Sequence, residues 1–160
     1  MQNKEIYLNE GENNMIETPK ELLDATSLKV ESILKERFKD YLSFGNGTFT
    51  ISRGSCQVMI LVRPFTESDT VIECMANVVS GAIISNDLMQ FLLRKNAELH
   101  FGAFGLLFDN SIVFQHSIAG THVDANELTA SINAVAIIAD HYDDEIIKMA
   151  GGSRQIEEND

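Results

Sequence analysis

Two different periods of apolar and polar positions run along this chain. From Asp124 to Met149, at about 100° per residue, Leu128, Ile132, Val135, Ala139, Tyr142, Ile146 and Met149 fall on one narrow stripe. The steps alternate four and three, the spacing of a packing seam. A long helix is therefore expected, and it cannot stand alone in water with that stripe uncovered. Asp124-Ala125-Asn126-Glu127 reads as a capping box at its start, with Val123 and Leu128 as a hydrophobic staple. Gly151-Gly152 ends it. The strand-like runs just before it, Phe101–Phe108 and Ser111–Ile118, are its first candidate partners.

A second amphipathic helix is expected over Pro19–Ser43. Thr18 can cap it, Pro19 suits the first helical position, Glu21 completes a capping box, and Gly45 is a stop. Leu23, Val30, Ile33, Leu34, Phe38 and Tyr41 share its apolar face. After the Gly45-Asn46-Gly47 turn the period changes to two. Thr48–Ser52 is a short strand, Arg53-Gly54-Ser55 turns back, and Cys56–Phe65 is a stronger strand. Val58, Ile60 and Val62 face one way; Gln57, Met59, Leu61 and Arg63 face the other. Glu67-Ser68-Asp69 turns the chain into a third strand, Thr70–Val79. There Ile72, Cys74, Ala76 and Val78 share the first face, and Glu73, Met75, Asn77 and Val79 take the second.

Ser85 or Asn86 can cap a shorter helix reaching about Ala97, with Leu88, Phe91, Leu92 and Leu99 as its apolar side. Gly102–Phe108 and Ser111–Ile118 then read as a hairpin around Asp109-Asn110. The order is α-β-β-β-α-β-β-α. Each direct strand-to-strand link is too short for a parallel crossover. The expected fold is α+β, a five-stranded antiparallel sheet with long helices over one face. Residues 1–17, rich in Asn and Glu, are expected to be frayed or disordered. Residues 18–152 form one domain, and 153–160 are a polar tail. No internal repeat or low-complexity segment interrupts this plan.

Composition narrows the partners. The chain has 160 residues, 44% of them hydrophobic, which suits one domain with a real core. Its net charge of -12 repels phosphate backbones and anionic lipid, so neither nucleic acid nor membrane is expected as a partner. A basic or amphiphilic polypeptide is compatible with it. No apolar run reaches the roughly 18 residues of a membrane span, and the start of the chain has no signal-peptide pattern. A cytoplasmic location is expected. Cys56 and Cys74 lie four to six residues out of alignment in any register that joins the apolar faces, roughly 13–20 Å. A disulfide needs Cα atoms within about 7 Å, so two buried free thiols are expected.

Candidate chemistry is sparse. Asp140 and Asp144, and His141 and Glu145, are spaced to share helix faces, as carboxylates and an imidazole binding a divalent metal would be. That spacing motivates an alternative reading, a metal-dependent regulator or enzyme. The residues lie away from the apolar stripe, so the favoured reading is a solvated surface. Acids in the last turns oppose the helix dipole, which Lys148 offsets in part. His100, His116, His122 and His141 share no ligand spacing with one another or with the cysteines. His116 alternates with Ile112, Phe114 and Ile118, which predicts a partly buried histidine with a satisfied hydrogen bond. Cys56 and Cys74 read as small hydrophobes rather than nucleophiles. Gly45/Gly47 and Gly102/Gly105 are not phosphate loops, because neither pair leads from a strand into a helix. No catalytic residue, metal site or cofactor is expected.

The more informative feature is hydrophobic excess. A sheet with one wet face should alternate cleanly, yet Met59, Leu61, Met75 and Val79 put apolar side chains opposite Ile60 and Cys74. Ala130, Ala134 and Ile137 do the same off the main stripe of the last helix. The second helix folding over the back of the sheet, a homodimer, or a client polypeptide would each cover such surface. Methionine suits a surface that must adapt to varied partners. Met59, Leu61, Met75 and Val79 are thus candidate partner contacts, with Ala134 and Ile137 as dimer candidates.

Leu92-Leu93-Arg94-Lys95-Asn96-Ala97-Glu98, then Gly102-Ala103-Phe104-Gly105, Ile112-Val113-Phe114 and the closing Ala139-Asp140-His141-Tyr142-Asp143-Asp144-Glu145-Ile146, resemble the YbjN family. The element order over about Pro19–Gly152 resembles the type III secretion chaperone-like (CesT-like) fold, shared by that family and by small acidic secretion chaperones. The resemblance implies a non-enzymatic, often dimeric protein that binds extended polypeptide on its sheet and helix surfaces. It offers no catalytic residue to carry over.

Overall fold

The computed structural model describes residues 17–154; the N-terminal residues expected to be frayed, up to 16, and the tail beyond 154 lie outside that range. The elements are α1 (Lys20–Arg37), β1 (Leu42–Gly45), β2 (Thr48–Arg53), β3 (Cys56–Pro64), β4 (Thr70–Val79), α2 (Asn86–Glu98), β5 (Ala103–Leu106), β6 (Ile112–Ala119) and α3 (Ala125–Ala150). The strands form one antiparallel sheet in the order β1-β2-β3-β4-β6-β5. The fold class is the expected α+β, with six strands rather than five.

The extra strand comes from the end of the expected first helix. α1 stops at Arg37, and Phe38 is already extended (φ -133°, ψ 118°). Leu42–Gly45 instead folds back on β2 through Asn46-Gly47, both left-handed (φ 54° and 70°). That two-residue turn matches the right-handed twist of a hairpin. Phe38 and Tyr41 fit the helical face by spacing, but six residues are too few to separate the two periods. Thr18 also differs from expectation. Pro19 is the N-cap and receives no side-chain cap bond. Thr18 Oγ1 donates to Thr66 O (2.7 Å) and accepts from Phe65 N (2.9 Å), tying the helix entry to the β3–β4 turn. The β5–β6 hairpin is looser than a two-residue turn. Its strands stop at Leu106 and Ile112, Leu107 N donates to Ser111 O (2.9 Å), and Asn110 takes the left-handed conformation.

The register is set by the alternating pattern. Ile60 pairs with Cys74 and Met59 with Met75. Cys56 is therefore four residues along the strand from the partner of Cys74, and both thiols are free and buried. One core cluster joins Val58, Ile60, Val62, Ile72, Cys74 and Ala76 of the sheet to Val30, Ile33 and Leu34 of α1, Leu88 and Leu92 of α2, and Leu128, Ile132, Val135 and Ile146 of α3. All three helices thus cover the same face. The second helix does not fold over the back of the sheet. The expected caps of the other helices are present: Ser85 accepts from Leu88 N, and Asp124 and Glu127 exchange both bonds of the capping box.

A few buried polar contacts fix the helices on the sheet. Thr26 Oγ1 of α1 lies 3.0 Å from Thr70 Oγ1 of β4. Gly120 makes room for that pair: a Cβ there would stand 2.2 Å from Thr70 Oγ1. On the α3 side, His116 Nδ1 is 2.7 Å from Ser131 Oγ, so this histidine is satisfied as expected. Burial pulls its imidazole below the usual pKa.

Gly120→Ala should destabilise the protein by about 1–3 kcal/mol through overpacking, read from denaturant unfolding. Adding Thr70→Ala should recover part of that loss; strict additivity would show that the clash lies elsewhere. The lowered His116 pKa means the unfolded chain binds the proton more readily. Stability should fall as pH drops through about 6.5, the unfolded value. His116→Asn should flatten that decline in unfolding free energy between about pH 7 and pH 5, and an unchanged slope would remove His116 as its source.

Candidate protein-binding surfaces

The face of the sheet away from the helices carries the first set of sequence candidates. Across it, Thr50, Met59, Met75, Gln115 and Ala103 stand in register on five neighbouring strands. Met59 is 37% exposed and Met75 half-buried, so two adaptable thioethers lie side by side at the centre of the sheet. Leu61 is on the same face but almost buried, at 8%. Arg63 and Glu73, 3.9 Å apart, border this apolar centre toward one end.

Val79 does not belong to this face. The β4–β6 register shifts between Asn77 and Val79, and Val79 pairs with the core residue Ile112. The bulge turns its side chain into the helix-covered core, where it is fully buried near Gly152. Strict alternation cannot foresee one extra residue, because a bulge reverses every later assignment on that strand.

Ala134 and Ile137 lie on the outer side of α3, with Ala134 half-buried and Ile137 67% exposed. Because α3 packs on the opposite side of the sheet, the structure does not bring these two together with Met59 and Met75. They are a separate, smaller patch.

A third surface went unnoticed in the sequence. Between α2 and the edge strand β5 runs a groove of about 220 Å³ lined by Leu88, Met89, Leu92, Leu93, Phe104 and Leu106, among others. Its polar member is Asn96, which bridges the two elements. The Asn96 amide donates to Phe104 O (3.2 Å) and accepts from Phe104 N (2.6 Å). A side-chain amide thereby replaces the neighbour that an edge strand lacks. The signal was present in Leu92-Leu93, since two adjacent leucines on a helix cannot both face one core.

The acidic end of α3 is only partly a solvated surface. Asp140, His141, Asp144 and Glu145 are exposed, but Asp143 is 4% exposed. Ser55 Oγ reaches Asp140 Oδ1 (2.6 Å) and Asp143 Oδ2 (3.2 Å). Arg154 lies 3.7 Å from Asp143 and also binds Asp144. Burial holds the Asp143 carboxyl above the usual carboxylate range, while the Asp144 N–H, Arg154 and Ser55 pull it back. The start of the expected polar tail is therefore structured: Ser153 forms a bridge with Ser80, and Arg154 anchors to α3. Among the described residues, no group of three or more His, Cys, Asp or Glu is placed to hold a metal ion. Burial pushes the Cys56 and Cys74 thiols up to about 11, the opposite of an activated nucleophile.

No curated protein sequence matches the chain. Among solved structures it is similar to a chain in the crystal structure of the ExsC–ExsE complex, with a TM-score of 0.58 at 15% identity, over 75% of this chain and 95% of the other. At that identity the likeness shows the fold alone. A family model described as "T3SS (YopN, CesT) and YbjN peptide-binding chaperone 1" matches residues 24–158. With most of its length matched in this way, the chain belongs to the type III secretion and YbjN peptide-binding chaperone family.

Proposed function

We propose that this chain is a non-enzymatic, homodimeric chaperone-like or regulatory protein that holds an extended polypeptide on the open face of its sheet. The observation that carries the reading is the one-sided layering. All three helices sit on one face, and on the other Met59 and Met75 pair across β3 and β4 with no helix above them. Leu61 forms the floor beside them. Ala134 and Ile137 supply a second apolar contact on α3. The peptide-binding description of the family supports the same reading, and the structural relative is itself a complex of two proteins.

The chemistry of the client follows from the field. A net charge of -12 favours a peptide that combines basic and apolar residues and disfavours nucleic acid and anionic membrane. Two reduced, buried cysteines fit a cytoplasmic site of action. No helix among the described residues is long and apolar enough to cross a membrane.

Binding to an array of synthetic amphipathic peptides of graded charge tests this. Met59→Glu and Met75→Glu should each weaken capture of basic amphipathic peptides by about tenfold or more, on the order of 1.4 kcal/mol. Wild-type affinity in both variants would show that the client sits elsewhere. Rising ionic strength should slow association far more than it speeds dissociation. A salt-independent association rate would remove the electrostatic part of the reading.

A further inference from the structure

We propose that two copies of this chain join through the α2–β5 face, each inserting Phe108 into the groove of the other. This rests on the homodimer in the reading above and adds the surface and the contact. Six large apolar side chains stand exposed at this end of the molecule: Ile83 before α2, Met89 and Leu93 on α2, and Leu106, Leu107 and Phe108 at the β5–β6 hairpin. Phe108 is wholly in solvent at 107% and Leu93 is 68% exposed. The turn itself does not need a phenyl ring, because Asp109 and the left-handed Asn110 shape it.

Three observations select a second copy as the occupant. The first is charge. Two chains of net charge -12 repel, so they can meet only where charge is sparse. The groove lining contains no charged side chain, whereas the neighbouring hollow between α2 and α3 is lined by Asp87, Arg94, Lys95 and Glu98. A charge-depleted, aromatic-rich centre is also what distinguishes interface cores.

The second is self-complementarity. In a two-fold pair the same patch serves both partners, so it must hold both halves of each contact. Here the protruding Phe108 and the hollow lined by Leu93 and Leu106 lie side by side, Leu106 being in both the groove and the hairpin. A volume of about 220 Å³ is below the roughly 300–1,000 Å³ of small-molecule pockets and suits one large side chain.

The third is the state of the strand edge. A peptide adding as a strand must pair with the outward backbone groups of β5. Asn96 already occupies those of Phe104, and β5 ends two residues later. Strand addition is thus obstructed at this edge, while side-chain insertion is open.

Light scattering and sedimentation of the full chain should show a dimer. Phe108→Glu and Leu93→Glu should each weaken it by about tenfold or more, with unchanged circular dichroism and unfolding midpoint because both sites are exposed. Ile137→Asp and Met59→Glu should leave it intact. When Phe108→Cys chains are mixed with Leu93→Cys chains, a short bismaleimide should join one of each; native Cys56 and Cys74 are buried. A monomeric wild type, a dimer that survives both glutamate variants, a dimer broken by Ile137→Asp, or no mixed crosslink would each overturn the proposal. So would a monomer that takes peptide into this groove. Peptide capture at Met59 and Met75 is read separately, so the two readings can fail independently.

Discussion

The fold depends on one seam, the contact of α3 with the concave side of β3, β4 and β6. Leu128, Ile132, Val135, Ala139 and Ile146 are essentially fully buried there. Each large aliphatic side chain so buried contributes on the order of 1.5–3 kcal/mol. A single amphipathic helix gains too little from its own hydrogen bonds to persist in water, so the sheet and α3 stabilise each other. α1 and α2 are added to the same side, against the remaining width of that surface. The asymmetry of the whole molecule follows: three helices meet one sheet face, and the other face is closed only by its own side chains.

That arrangement leaves polar groups to settle orientation rather than stability. Thr26 against Thr70, Ser131 against His116, and Ser55 against Asp140 and Asp143 each join a helix to a strand or turn of the sheet layer. Hydrogen bonds of this kind contribute about 1 kcal/mol each, yet leaving one partner buried and unpaired costs more. They therefore penalise a helix that slides or rotates along its apolar stripe, which hydrophobic contact alone tolerates. Asp143 shows the limit of the device. Its carboxylate is held on the buried side of α3, and an arginine from beyond the helix end is needed to keep it there.

The sequence was most legible where one period ran long. The 26 residues of α3, its capping box and the β3–β4 register all followed from spacing. Failures came where one or two residues changed the rule. Asn46-Gly47 made a hairpin of what its flanks suggested was a helix end, and the bulge before Val79 moved that side chain from the open face to the core. Thr18 and Asp143 were misread for a different reason. Each serves a partner remote in sequence, at Thr66 and at Ser55, and no local pattern encodes such a contact. Of the candidate surface, Met59 and Met75 were visible as breaks in alternation. The α2–β5 groove was not, because it exists only where a helix and a strand edge from separate segments come to lie together.

These surfaces differ in how firmly the fold holds them. Met59 and Met75 rise from the two central strands, each paired on both sides, so their backbone cannot shift without unzipping the sheet. A client met there finds a rigid base, and adaptation is left to the flexible thioethers. Phe108 and Leu93 stand instead on a hairpin tip and an outer helix face, secured to each other through Asn96 alone among the described side-chain hydrogen bonds between α2 and β5. Apolar groups displayed on such peripheral elements gain order when a partner immobilises them, and the free chain loses little by leaving them mobile. The central sheet thus offers a fixed platform and the periphery an adjustable one. Occupation of one does not sterically exclude the other, because the sheet edge carrying the α2–β5 groove is separated from β3 by β4 and β6.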